Sequence, residues 1–130
     1  MTTHIDIRQL FKIDAAFELT LGLVLALGGA AGLLTGSDFP IGRGLLIAAG
    51  AAFLLGGAST ALYFVRARRR VLLELALGNG AMASAGLAWL LADRGFSSAG
   101  TAILLAAVAW KFAISTLQVG STRNRRAASE

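Results

Sequence analysis

The sequence predicts an all-α membrane protein, a four-transmembrane-helix bundle built from two tandem helical hairpins. Three observations carry that expectation. Hydrophobic residues make up 56% of the 130 positions and charged residues only 15%, whereas a soluble domain is about 45–50% apolar and about 25% charged. The charges also fall between long apolar stretches instead of within them. Positions 19–37, 44–65 and 75–92 carry none, and 95–122 carry Lys111 alone. Finally, the run Glu18-Leu19-Thr20-Leu21-Gly22 returns as Glu74-Leu75-Ala76-Leu77-Gly78, with Arg69-Arg70 returning as Arg125-Arg126. A disordered chain is excluded by the apolar excess. The absence of cysteine excludes disulfide frameworks, thiolate metal sites and cysteine nucleophiles.

Each element follows in order from these stretches. Residues 1–13 read as a cytoplasmic amphipathic lead-in, because Ile7, Leu10 and Phe11 share one helical face while Arg8, Gln9 and Lys12 lie elsewhere. A cleaved signal peptide is the poorer reading, since Asp6, Asp14 and Glu18 stand where such a segment would be purely basic. A helix needs roughly 20 apolar residues to cross a core of about 30 Å. Spans are therefore expected at 14–34, 41–65, 71–91 and 98–120. They form a first hairpin over 14–65 and a second over 71–120, joined by an Arg-rich loop at 66–70 and followed by a basic tail at 121–130. Alternation of period two, the mark of a membrane barrel, is absent. The two hairpins are expected to run in the same direction, related by a pseudo-two-fold axis along the membrane normal.

Lysine and arginine set the expected orientation. Arg8, Lys12, Arg66, Arg68, Arg69, Arg70, Arg123, Arg125 and Arg126 fall on one side of a four-span topology, and only Arg43 and Arg94 on the other. Both termini are then cytoplasmic, in the plasma (inner) membrane. The arginines of the loop and tail are expected to meet anionic lipid headgroups. The partners expected are the bilayer itself and a second copy or a larger membrane complex, and not nucleic acid.

Helices in lipid associate by close packing, which small residues permit. Gly22, Gly28, Gly32 and Gly36 in the first span, Gly78, Ala81 and Ala85 in the third, and Ala102, Ala106, Ala109 and Ala113 in the fourth are the candidates. Tyr63 and Trp89 are placed near the membrane interfaces, whereas Trp110 lies at mid-span as a packing or lipid-facing residue.

Ionisable groups inside a span raise a functional hypothesis. Glu18, Glu74 and Lys111 interrupt the spans, and Ser59, Ser115 and Gln118 share the expected level or stripe. Glu74 has Arg70 one turn before it, a spacing that suits an ion pair. Lys111 is expected to point into the bundle and to meet Glu74 or Glu18, either fixing helix register or forming a proton- or ligand-linked site. Phosphate-loop, zinc-protease and serine-hydrolase motifs are missing, and the single histidine, His4, precedes every span. No enzyme activity, metal or cofactor is expected. Size, four helices and the position of Glu18 resemble the small multidrug resistance transporters in outline. The aromatic residues of that family's binding chamber have no counterparts here, and the charge bias is strong, so no family is assigned. The expected role is that of a small non-catalytic membrane protein, a helix-packing, accessory or oligomer-forming component. The alternative is a small transporter or channel subunit using Glu18, Glu74 and Lys111.

Overall fold

Asp6 opens the first helix. Its backbone is extended and its carboxylate accepts a hydrogen bond from the Arg8 amide at 3.1 Å, capping a donor that the helix itself cannot satisfy. The computed structural model describes residues 6–34, 40–63 and 69–129. Among them run four α-helices in sequence, α1 (Ile7–Ala30), α2 (Arg43–Tyr63), α3 (Arg69–Ala92) and α4 (Ser98–Ser129), with no strand. Three of them, α2, α3 and α4, are long and apolar enough to cross a membrane.

Several expected boundaries shift, each for a local reason. Residues 7–13 of the expected lead-in form the first two turns of α1. Leu10 and Phe11 are fully buried, and Phe11 packs on Leu72 near the start of α3, with Val71 and Leu75 beside it. At the other end, α1 stops at Ala30 and not at Leu34. Gly32 adopts a left-handed φ of 73°, a conformation that suits a residue without Cβ. The Gly32 amide then donates to Gly29 O and the Leu33 amide to Gly28 O, so two otherwise orphaned carbonyls are closed. The expected Gly28, Gly32, Gly36 stripe is therefore cut, since Gly32 lies past the helix end and Gly36 outside the described residues. At the far end of the chain, α4 continues past Gly120 into the expected basic tail as far as Ser129.

Two hairpins result, α1 on α2 and α3 on α4. Glycine sets the first crossing. A methyl group added at Gly50 would lie 2.4 Å from the Ala26 nitrogen, and one at Gly22 would lie 2.8 Å from the Leu54 nitrogen. Gly57 likewise faces Leu19 and the Ala15 carbonyl. Backbone on backbone at this range brings many atom pairs into dispersion contact. The second crossing meets side chains instead of backbone: a methyl group at Gly86 would lie 2.9 Å from Val108 Cγ2, and one at Gly80 3.4 Å from Ser115 Oγ. Gly78 faces open space among the described residues, and Ala81 and Ala85 are exposed, so these three lie on the outer side of α3.

Between the hairpins, the inner faces are regular. Leu72, Ala76, Asn79 and Ala83 form the buried stripe of α3, and Val108, Lys111, Ile114, Gln118 and Thr122 that of α4. Both have the three-and-four spacing of a helix face. One apolar cluster joins the hairpins at the end where α1 begins (Phe11, Leu72). A second, around Leu25 and Leu46, joins them near the opposite end. A polar layer separates the two.

Candidate functional site

The layer is assembled from one or two side chains of every helix. Asp14 and Glu18 stand one turn apart on α1, Thr60 comes from α2, Asn79 from α3, and Lys111 and Gln118 two turns apart on α4. All six are at most 5% exposed. Because α1 begins at Ile7, Asp14 sits roughly 10 Å and Glu18 roughly 16 Å along it at about 1.5 Å per residue. Neither carboxylate is at a helix boundary.

Lys111 is the centre. Its ammonium donates to Asp14 Oδ1 at 3.1 Å, to Asn79 Oδ1 at 2.8 Å and to Glu18 Oε1. Three N–H groups thus meet three acceptors, which saturates the group. Asn79 works from both ends of its amide: its nitrogen donates to Asp14 Oδ2 at 2.8 Å and to Gln118 Oε1 at 3.1 Å. Gln118 closes a ring by donating to Asp14 Oδ2 at 3.3 Å. Thr60 donates to the second oxygen of Glu18, also at 3.3 Å. Beside them, the Phe17 ring lies 5.9 Å from the Lys111 nitrogen and stacks on Trp110 at 5.0 Å between centroids. Trp110 is thus a packing residue.

Of the candidates read from the sequence, Glu18, Lys111 and Gln118 come together and Glu74 does not. Glu74 is exposed and accepts from Arg70 Nε at 2.9 Å, the ion pair that its spacing suggests. Ser115 lies beside the layer and donates to the Ala76 carbonyl at 2.7 Å, tying α4 to α3. Ser59 is exposed; its neighbour Thr60 is the residue that turns inward. On α2, a methyl group added at Gly56 would lie 3.3 Å from Glu18 Oε2. Of the arginines, Arg123 is exposed on α4, Arg69, Arg125 and Arg126 lie on helices, and Arg66 and Arg68 fall outside the described residues.

Asp14, Asn79 and Thr60 were the residues missed. Asn79 carried a signal, being the only amide in the uncharged stretch 75–92. Asp14 reads as the edge of the first span when charge alone marks helix ends.

Chemically, the layer is a fully partnered network of two carboxylates, one ammonium, two amides and a hydroxyl. Low dielectric strengthens such a network and makes any broken member costly. Among the described residues no three metal-ligating side chains converge. The chain matches no protein-family description, no curated protein and no solved structure.

Proposed function

We propose that the chain is a small multi-pass protein of the plasma (inner) membrane, without catalysis of its own, in which the Lys111 layer locks the register of four spanning helices. It acts as an accessory or oligomer-forming component, with both termini cytoplasmic. The observation that carries this reading is the saturation of Lys111, whose three donors are all taken by side chains of the protein itself. A group so occupied has nothing left to offer a substrate. The same bonds support α1 as the fourth span, since its two carboxylates are met by an ammonium inside the bundle and not by lipid. The recurring Glu-Leu-x-Leu-Gly run supports a duplicated hairpin, in which Glu18 has become a layer residue and Glu74 a surface one.

One observation favours a second reading, a proton-linked transporter subunit. Two carboxylates face a single ammonium, so the fully ionised layer carries a formal charge of −1 (two negative, one positive). Purified protein in vesicles enclosing a pH-sensitive dye separates the readings. A register lock gives proton flux no greater than that of empty vesicles. Flux that Glu18→Gln abolishes would establish the transporter in its place.

A further inference from the structure

One turn beyond the polar layer, between the hairpins, lies a partly enclosed cavity of ≈100 Å³ with no polar surface. Leu21 and Leu25 of α1, Leu46 and Ala49 of α2, and Ile103 and Ala107 of α4 are among the side chains that line it. Water is a poor occupant, because a buried water needs two to four polar partners. Left empty, the lining forfeits dispersion contacts. Apolar cavities of about 150 Å³ stay dry and accept apolar guests. Around helices apolar enough to cross a membrane, the abundant apolar guest is an acyl chain.

Depth and charge narrow the choice. The cavity reaches from Ile41, in the α1–α2 connection, to Leu21, nine residues before the end of α1 at Ala30. Those nine residues span about 14 Å, close to half of a hydrocarbon core of about 30 Å. One leaflet's acyl chain reaches that far. At the shallow end, Arg43 and Arg94 are both exposed. The α3–α4 connection, which holds Arg94, meets the segment just before Arg43 there, for a methyl group on Gly95 would lie 2.9 Å from Pro40 Cβ. Arg43 also donates to the Ala30 carbonyl, which holds its guanidinium over the end of α1. Asp93 turns its carboxylate to the Gly95 amide at 3.0 Å. Guanidinium is the side-chain group best matched to phosphate.

We propose that this cavity takes up part of an acyl chain of an anionic phospholipid, whose phosphate is recognised by Arg43 and Arg94. The site rests on membrane residence, and bound lipid would join the hairpins on the side of the polar layer away from Phe11 and Leu72. The test uses purified full-length protein in phosphatidylethanolamine vesicles doped with a mid-chain diazirine lipid, either phosphatidylglycerol or phosphatidylcholine. After illumination, labelled residues are mapped by mass spectrometry. Phosphatidylglycerol should label the cavity residues roughly tenfold more than the exposed Leu55 and Leu62, a difference of about 1.4 kcal/mol. Ala107→Phe, or the smaller Ala49→Leu if that variant fails to fold, should remove the excess by filling the cavity. Arg94→Gln, alone and with Arg43→Gln, should bring phosphatidylglycerol labelling down to the phosphatidylcholine level. Cavity labelling no higher than that of Leu55, or unchanged on filling, overturns the site. Equal labelling by the two lipids in the native chain overturns the role of the arginines. Flotation with the vesicles on a density gradient tests membrane residence separately.

Discussion

Lys111 of α4 reaches α1 through Asp14 and Glu18 and α3 through Asn79, while Thr60 of α2 joins the same layer through Glu18. Removing one partner of a buried, hydrogen-bonded ion pair costs about 3–5 kcal/mol, because the remaining charge is left without compensation. Lys111→Met is therefore expected to destabilise the protein by about that much in detergent denaturation, with Asp14 and Glu18 both stranded. A double-mutant cycle with Asp14→Asn should show strong coupling, and additive effects would rule out the pair as a unit. Glu74→Gln is the internal control. Its ion pair with Arg70 is exposed, and such pairs are worth about 0–1 kcal/mol, so little change is expected. Asn79→Leu tests the hub differently. It keeps the volume but strips Asp14 and Gln118 of a donor and the Lys111 ammonium of an acceptor, a loss of about 1–3 kcal/mol or more. Adding Gln118→Leu should then cost less than it does alone, as measured in the same unfolding cycle.

At the scale of the element, the two hairpins differ in how much they tolerate. Gly50→Val pushes a branched side chain into the Ala26 backbone, and overpacking of this kind costs about 1–3 kcal/mol or more. Gly78→Val, on α3, meets open space and is expected to leave the melting temperature within a degree or two, of the order of surface substitutions. Comparing the two melting curves checks the assignment of packed and unpacked faces. Gly32→Ala should cost about 1–2 kcal/mol, since its left-handed φ is a strain for any residue with Cβ. Helix count and the cores of all four helices were legible in the sequence, because uncharged stretches of this length have few other solutions. The ends were less so. Asp14 reads as a border because charges normally stand at the ends of apolar stretches, and only its tertiary partner Lys111 accounts for its burial within α1. Glu18 and Glu74 look alike in sequence, yet one is buried and the other exposed. Local sequence holds no information on which of the two glutamates faces the neighbouring hairpin. Lys111, Ser115 and Gln118 were legible as a stripe because their spacing alone places them on one face of α4.

For the molecule as a whole, orientation is the property most open to direct measurement. The proposed topology places nine lysines and arginines on the cytoplasmic side and two outside. Cysteines introduced as Arg68→Cys and Ser121→Cys should be protected from an impermeant thiol reagent in intact cells. Ser37→Cys should react. External labelling of the first two would reverse the topology and, with it, the leaflet assigned to Arg43 and Arg94. The chain's lack of native cysteine makes the readout free of background.

The pairing of Asp14 with Lys111 also orders events during synthesis. The two residues are 97 positions apart, and a ribosome adding about 5–20 residues per second takes roughly 5–20 s to cover that distance. For that interval the nascent first helix holds two carboxylates whose counter-ion does not yet exist. The chain is complete as a fold only when its last helix arrives. A product truncated before Ser98 should accordingly be cleared faster than the full chain in a pulse–chase experiment, and Asp14→Asn with Glu18→Gln in the truncated product should slow that clearance. Equal lifetimes for the two truncated products would mean that the unpaired carboxylates are not what the degradation machinery detects.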